Sequence, residues 1–223
     1  GPRGDVIIEA DWAIGELYKT LESENLLDNT LIIFSSDNGP VLNDGYYDDA
    51  VEKLGDHTPK GELRGGKYSL FEAGTRVPFI SYWKGKIKPG ISDEIISQID
   101  ILNSISKLVG LEYRSKDGLD FLDLIINNKG KGREELILEA STRTAYRKGD
   151  WVMIPPYKGQ SIAKNVNIEL GNSMDFKLYN LKDDPSQKND LSNIEDKKLK
   201  EMIKGFVKIR GKEFTNIKNL VLE

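Results

Sequence analysis

Hydrophobic residues recur with different periods along the chain, and each period predicts a different kind of element. Between Val6 and Leu21 they fall every three to four residues, which is the spacing of one helix face. Asp5 precedes this pattern and is predicted to serve as the N-cap or as an acidic residue of the first turn. Trp12 is expected to pack along this helix. An apolar run at 31–34, bounded by turn residues, predicts a fully buried strand. A helix followed by a buried strand is half of a parallel βαβ arrangement.

A long polar stretch separates this strand from the next one. Residues 37–76 are too many for a plain connection, and loops of this length are usually functional or disordered. The pattern then predicts a strand over 77–83 and a helix over 101–109. Gly110 is a natural residue to end that helix. A further short helix is predicted over 117–126.

After residue 130 the pattern changes to short strands. They are predicted at 136–138, 145–147, 151–154 and 176–179. Residues 148–150 are a plausible hairpin turn, whereas 157–173 are polar and weakly patterned, which predicts a loop. A charged amphipathic helix is predicted over 195–210. Strands followed by one helix indicate a small antiparallel α+β unit.

The sequence therefore predicts an α/β fold in two parts. Residues 1–130 are expected to form part of a large mixed sheet flanked by helices. Residues 131–223 are expected to form a small antiparallel sheet with one terminal helix. Trp83 and Trp151 are assigned to the cores of these parts, and 223 residues suffice for such an arrangement.

Composition narrows the chemistry that the chain can carry. The net charge is −4 with acids and lysines interspersed, which gives no footprint of nucleic-acid binding. The absence of cysteine excludes disulfides, thiolate metal sites and a cysteine nucleophile within this chain. No apolar run approaches the ~18 residues that predict a membrane span, and the first residues do not resemble a signal peptide.

Asp37 and Asn38 are the first candidates for a functional site. They follow the first predicted strand directly, and α/β proteins bind ligands beyond the carboxyl ends of strands. A carboxylate beside an amide carbonyl offers two hard oxygen donors, which suit Ca²⁺ or Mg²⁺. The run Asp-Asn-Gly is also a common turn signature. These residues alone leave both interpretations open and favour the turn.

Two motifs around these residues resemble the sulfatase family of the alkaline-phosphatase-like superfamily. Residues 35–39 match a strand ending in Ser/Thr-x-Asp-Asn-Gly, and residues 66–78 match Gly-Lys-x-x-x-Phe/Tyr-Glu-x-Gly-x-Arg-x-Pro. Residues 55–59 resemble a Gly-Asp-His-x-Pro segment of some bacterial members. The run Leu-Tyr-Asn-Leu-x-x-Asp-Pro at 178–185 is similar to the signature of the family's carboxyl-terminal subdomain. The resemblance extends in looser form over most of the chain.

The resemblance implies roles for five residues. Asp37 and Asn38 match the family's metal-binding pair and would complete a Ca²⁺ site whose other carboxylates lie outside this chain. Lys67 matches the lysine that contacts the sulfate group and the leaving oxygen, and is the candidate catalytic residue. Lys67, His57 and Arg64 are the candidate substrate-binding residues. Two oxygen donors cannot replace the six to eight that Ca²⁺ prefers, so the chain alone is expected to bind calcium weakly or not at all.

The remaining motif residues and the single histidine have supporting roles or roles that stay open. Glu72 and Arg76 belong to the fingerprint and are expected to form a structural ion pair or to support the site. Arg64 either contacts the substrate or packs within the fold, and both interpretations stay open. His57 is the only histidine, and a lone histidine is more often structural than catalytic, although imidazole suits substrate contact near neutral pH.

The family's nucleophile motif does not occur in this sequence. It is Cys/Ser-x-Pro-x-Arg, converted to formylglycine, in members of roughly twice this length. The resemblance therefore implies a carboxyl-terminal part of a bacterial sulfatase, whose partner is the amino-terminal half of the same protein. Such a part is expected to be inactive alone and to associate through uncovered apolar surface.

The function implied by the resemblance is sulfuric ester hydrolysis, arylsulfatase-like or directed at sulfated carbohydrate, in a periplasmic or secreted protein. Two alternatives stay open. A phosphoesterase relative would use another nucleophile and Zn²⁺ bound by histidines, against which the single histidine argues. A non-catalytic domain would have lost the chemistry, against which the retention of Asp37, Asn38 and Lys67 argues.

Overall fold

The structure, a computed structural model, describes residues 1–211 and Phe214. Within them the α-helices are α1 (Pro2–Ser23), α2 (Glu72–Thr75), α3 (Ile101–Leu108), α4 (Leu122–Asn127) and α5 (Asp196–Arg210). The strands are β1 (Ile32–Ser35), β2 (Phe79–Tyr82), β3 (Glu135–Ala140), β4 (Arg143–Lys148), β5 (Trp151–Ile154), β6 (Ile162–Ala163), β7 (Ile168–Glu169) and β8 (Lys177–Asn180). The predicted α/β class is confirmed, and the sheets of the described residues are antiparallel. None of the helices in this part of the chain has the length and hydropathy needed to cross a bilayer.

Contacts divide the chain into two units. The first contains Gly1–Ile7, Ser36–Val77 and the described residues from Glu135 onward, and the second contains Ile8–Ser35 and Pro78–Glu134. The predicted boundary near residue 130 lies close to the unit boundary after Glu134. The long loop after β1, however, belongs with the carboxyl-terminal residues. The division into folding domains at 1–130 and 131–223 stays a prediction.

A four-stranded antiparallel sheet in the order β3-β4-β5-β8 is the centre of the first unit. Successive side chains of a strand point to opposite faces, so Ala145 and Val152 enter one apolar cluster while Tyr146 and Met153 enter another. The four predicted strands and the hairpin at 148–150 are confirmed. This sheet is the platform on which the long loop after β1 packs.

Helix α5 covers one face of this sheet. Met202 and Phe206 lie one turn apart on the helix, and both are buried against Tyr146 and Met153. The predicted helix over 195–210 is confirmed within one residue. Trp151 packs partly buried against the same cluster, as its assignment to a core required.

The predicted loop over 157–173 is wrong in part, because it contains a small hairpin. Strands β6 and β7 pair with Ile162 opposite Glu169 and Ala163 opposite Ile168. Each strand is two residues long, which is too short for an alternating pattern to be visible in the sequence. This hairpin lies against the segment that carries Lys67, through contacts described below.

Strands β1 and β2 form an antiparallel pair in the second unit. The predicted parallel βαβ arrangement concerns β1 and a strand ahead of α1, so it stays a prediction. Ser35 at the end of β1 lies opposite Phe79 at the start of β2. The chain leaves and re-enters the sheet at the same end, which gives antiparallel strands, whereas parallel ones need a crossover. The predicted full burial of β1 is wrong, since Phe34 is 42% exposed. This sheet consists of two strands among the described residues, and these residues do not cover the Phe34 side chain.

Helix α1 begins earlier than predicted. Asp5 donates its backbone N–H to the Gly1 carbonyl at 3.1 Å and is the acidic residue of the first turn, which confirms the second of its two predicted positions. Pro2 favours the earlier start, because its fixed φ suits the first helical position. No residue of α1 is buried, and Trp12 is 63% exposed rather than packed. Trp83, by contrast, is buried and donates its indole N–H to the Asp28 carbonyl at 3.0 Å.

Candidate functional site

Lys67 lies in a tight turn of the first unit, formed by residues 65–69 and called the lysine turn below. Its backbone N–H donates to the Pro40 carbonyl at 3.0 Å, and Ser69 N–H donates to the Gly66 carbonyl at 3.0 Å. A side chain at Gly66 would place its Cβ 2.7 Å from the Pro40 oxygen and 3.0 Å from Ile168 Cδ1. Glycine is therefore required here, because the loop after β1 and the β6–β7 hairpin approach it from two sides.

The lysine turn is tied to the residues that follow Asp37 and Asn38. Gly39 N–H donates to the Gly74 carbonyl at 3.0 Å, and a Cβ on Gly39 would overlap the carbonyl oxygen of Ala73. Together with the hydrogen bond from Lys67 N–H to the Pro40 carbonyl, these contacts hold the segment after Asn38 against the lysine turn and against α2. The structure thus brings the Asp-Asn-Gly motif and the lysine motif together, as one site requires.

Asp37 and Asn38 occupy a bend directly after β1. The Ser36 hydroxyl donates to the Asn38 carbonyl at 3.0 Å, and the Asn38 amide N–H donates to the Gly39 carbonyl at 2.9 Å. The second bond leaves the Asn38 side-chain oxygen available, and the Asp37 side chain is exposed. Both oxygens are hard donors that fit a cation such as Ca²⁺. In the described part of the chain, however, no group of three acidic or histidine side chains is placed to hold a metal ion.

The Lys67 side chain contacts an acid that the sequence reasoning missed. Lys67 Nζ lies 2.7 Å from Asp44 Oδ2, and the Tyr68 hydroxyl donates to Asp44 Oδ1 at 2.9 Å. The hydrogen bond from Lys67 lowers the pKa of Asp44, and the same bond raises the pKa of Lys67. Lys67 is therefore held as an ammonium ion. The sequence signal for Asp44 was the turn run Asn43-Asp44-Gly45, whose two flanking residues adopt positive φ.

Arg64 is engaged in contacts within the first unit. Its Nε forms an ion pair with Glu169, its Nη1 donates to the Gln187 carbonyl at 2.7 Å, and its guanidinium lies 4.0 Å from the centre of the Phe71 ring. These contacts correspond to the packing interpretation of Arg64. Its contact with substrate stays a prediction.

His57 lies exposed in the long loop. Among the described residues no hydrogen bond or ion pair joins it to Lys67, Asp37 or Asn38. The structure therefore does not bring His57 into the arrangement around the lysine turn, and its substrate contact stays a prediction.

Glu72 is buried at the start of α2, three residues after the lysine turn. Its carboxylate is 3.8 Å from Arg76 Nη1, the predicted ion pair, and 3.4 Å from Arg147 Nη1, which the sequence did not reveal. Burial raises the pKa of Glu72, and the two arginines act in the opposite direction. Its backbone N–H donates to Gln187 Oε1 at 2.7 Å. These contacts anchor α2 to strand β4 through Arg147 and to the segment that contains Gln187.

Comparisons with known proteins point to one family. The sulfatase domain family matches residues 2–111. An N-acetylgalactosamine-6-O-sulfatase of Bacteroides thetaiotaomicron is 43% identical over 91% of this chain and 40% of its own length. Human arylsulfatase A is 33% identical over 63% of this chain and 26% of its own length.

Solved structures agree with these sequence matches. A Bacteroides thetaiotaomicron sulfatase structure from a study of glycosaminoglycan metabolism is 40% identical, with a TM-score of 0.89 over 94% of this chain and 45% of that one. A sulfatase from Pseudoalteromonas sp. is 27% identical, with a TM-score of 0.67. This chain spans less than half the length of these relatives. These matches show that the chain belongs to the sulfatase family.

Proposed function

We propose that this chain acts as the carboxyl-terminal part of a sulfuric ester hydrolase that removes sulfate from carbohydrate. The observation that carries the proposal is the position of Lys67. Its ammonium group is fixed 2.7 Å from Asp44, on a turn whose backbone is bonded to Pro40, two residues after Asn38. A cationic donor on a turn that is bonded through its backbone to the segment carrying two hard oxygen donors supports binding of a tetrahedral sulfuryl group.

Lys67 has two tasks in this reaction. Negative charge develops on the sulfuryl oxygens and on the leaving oxygen as the S–O bond breaks, and a preorganised cation lowers the energy of that transition state. The ammonium carries three N–H donors. It can keep its bond to Asp44 and still donate to the substrate, so the Asp44 contact orients Lys67 without blocking it.

Asp37 and Asn38 would supply two oxygen ligands to a divalent cation, with Ca²⁺ the ion that their chemistry favours. Such a cation adds positive charge beside the sulfuryl oxygens. The further ligands and the nucleophile, a formylglycine in the family pattern, are assigned to an amino-terminal part of the same protein. The chain alone is then expected to bind calcium weakly and to be inactive.

The substrate proposed first is an N-acetylgalactosamine 6-sulfate. It is the substrate class in the name of the relative that is 43% identical over 91% of this chain. Aryl sulfates are the second candidate, because arylsulfatase A is 33% identical over a shorter stretch. A periplasmic or secreted location, as expected from the family, belongs to the same proposal.

The test is a comparison of substrates with the full-length protein that contains this chain. N-Acetylgalactosamine 6-sulfate, 4-nitrophenyl sulfate and 4-nitrophenyl phosphate are supplied with Ca²⁺, and sulfate or phosphate release is measured. The proposal predicts turnover of sulfate esters, fastest for the sugar. Faster phosphate release would favour a phosphoesterase, and turnover of none of the three would favour a non-catalytic domain.

A further inference from the structure

We propose that Arg143 is a positioning residue for Lys67, and this inference rests on the function proposed above. Arg143 is the first residue of β4 and is 6% exposed. Its Nη2 donates to the Tyr68 carbonyl at 2.6 Å, directly after Lys67. Its Nη1 donates to the Leu170 carbonyl at 3.1 Å and to Asn172 Oδ1 at 2.7 Å. One guanidinium thus joins the lysine turn to the segment after β7.

The oxygens that Arg143 contacts are all neutral. Among the described residues no carboxylate lies within ion-pair distance of it, and burial lowers its pKa. Burying an arginine without a counter-ion is costly. An apolar residue in its place would avoid that cost but would remove the donor to the Tyr68 carbonyl and to Asn172 Oδ1. What an arginine supplies here is a rigid fork that reaches acceptors on two segments at once.

The backbone that Arg143 holds is strained. Tyr68 adopts φ = +74°, which is uncommon for a residue with a side chain and persists only where the surroundings impose it. The peptide that follows Tyr68 carries the carbonyl bound by Arg143. Relaxation of Tyr68 to negative φ would swing this peptide and move both side chains, Lys67 and Tyr68, that contact Asp44.

The contacts around Arg143 extend to the β6–β7 hairpin. The Ser69 hydroxyl donates to the Glu169 carbonyl at 2.6 Å, and Leu70 N–H donates to the Leu170 carbonyl at 3.2 Å. Arg143 binds the same Leu170 carbonyl. The hairpin and β4 therefore hold the chain at Tyr68, Ser69 and Leu70, in addition to the Pro40 contact at Lys67. Arg143 is the only charged group in this set of contacts among the described residues.

The test uses Arg143→Met and Arg143→Lys in the full-length protein. Arg133→Met is the matched control, because Arg133 is also a buried arginine but forms its ion pair with Asp100 in the second unit. Two quantities are measured. One is hydrogen exchange at the backbone amides of Lys67, Ser69 and Leu70, and the other is kcat and KM for the sulfated substrate, corrected for the folded fraction.

Arg143→Met is expected to speed exchange at the three amides about tenfold or more. It should lower kcat about 100-fold with little change in KM, because a small displacement of Lys67 weakens the transition state more than the bound substrate. Arg143→Lys should restore part of kcat, and Arg133→Met should change neither quantity.

The inference is overturned if the three amides exchange no faster in Arg143→Met than in the Arg133→Met control. It is also overturned if kcat follows the folded fraction alone. A wild-type protein that turns over no sulfate ester contradicts the proposed function instead, and hydrogen exchange then decides the role of Arg143 without any activity.

Discussion

At the scale of single residues, Lys67 depends on contacts that lie far away along the chain. Its ammonium binds Asp44, 23 residues earlier, and the carbonyl of Tyr68 is held by Arg143, 75 residues later. Its own backbone N–H is held by Pro40. Substitutions at these distant positions are therefore expected to change the charge and the position of a lysine that is itself unaltered.

Asp44→Asn tests the ion pair between Asp44 and Lys67. The pKa of Asp44 lies below its ordinary value of 3.8, so its ionised form stabilises the fold above about pH 4, and this contribution disappears as the pH falls through the lowered pKa. The difference in urea midpoint between wild type and Asp44→Asn should therefore be constant near neutral pH and shrink in acid. The pKa of Lys67, followed by NMR, should fall towards about 10.4 in the variant. An unchanged Lys67 titration would contradict the pairing.

Gly39→Ala tests the close approach between the two motifs. The added Cβ would overlap the backbone carbonyl of Ala73, which cannot move aside as a flexible side chain can. The free energy of unfolding should fall by about 1–3 kcal/mol or more. Gly4→Ala is the control, since nothing lies within 4 Å of its Cβ and helix propensity favours alanine. Equal urea midpoints for the two variants would contradict the close contact between Gly39 and the Ala73 carbonyl.

The sequence predicted the motif residues of the site but not their supports. Asp37, Asn38 and Lys67 were identified because each belongs to a local run with a resemblance to a family. Asp44 and Arg143 belong to no such run, and their roles arise only when segments distant in sequence meet. The turn run Asn43-Asp44-Gly45 marks a turn but not a partner for Lys67, and no local pattern distinguishes Arg143 from an ordinary surface charge.

At the scale of elements, the carboxyl-terminal sheet and α5 were predictable because their hydrophobic periods are clear. Tyr146 and Met153 alternate with Ala145 and Val152, and each set enters one cluster. The β6–β7 hairpin was missed because two residues per strand carry no period. The antiparallel pairing of β1 was missed because pairing direction depends on where the long loop returns, which hydrophobicity does not encode.

Gly205→Ala tests the packing of α5 on this sheet. A Cβ at Gly205 would overlap the hydroxyl of Tyr146, whose ring is fully buried and cannot move aside. We expect a lower Tm, although alanine is the better helix former by about 1 kcal/mol. Gly15→Ala in α1 is the control, since nothing lies within 4 Å of its Cβ, and it should raise Tm. A raised Tm in both variants would show that α5 lies further from Tyr146.

At the scale of the whole molecule, the described residues leave much apolar surface uncovered. Helix α1 has no buried residue, and Ile8 and Leu17 are 69% and 59% exposed. In the β1–β2 sheet, Ile80 is 58% exposed. Uncovered apolar surface of this kind marks association sites. The expectation that the chain alone associates therefore has a structural basis in these elements.

Light scattering of the chain alone tests this expectation. Its apparent mass should rise with protein concentration, and Ile8→Lys with Trp12→Lys should reduce the rise by placing charge on the exposed face of α1. Lys19→Gln, at an exposed polar position of the same helix, should leave it unchanged. A monodisperse monomer of the unaltered chain at all concentrations would contradict the expectation.

The proposed role of Lys67 in catalysis is tested by the kcat of the full-length Lys67→Gln variant on a sulfate ester. Lys60→Gln, an exposed lysine of the same loop, is the control. If Lys67 neutralises the sulfuryl group, its loss should lower kcat about 10²–10³-fold, while Lys60→Gln leaves kcat unchanged. Equal kcat values for the Lys67 variant and the wild type would contradict the account.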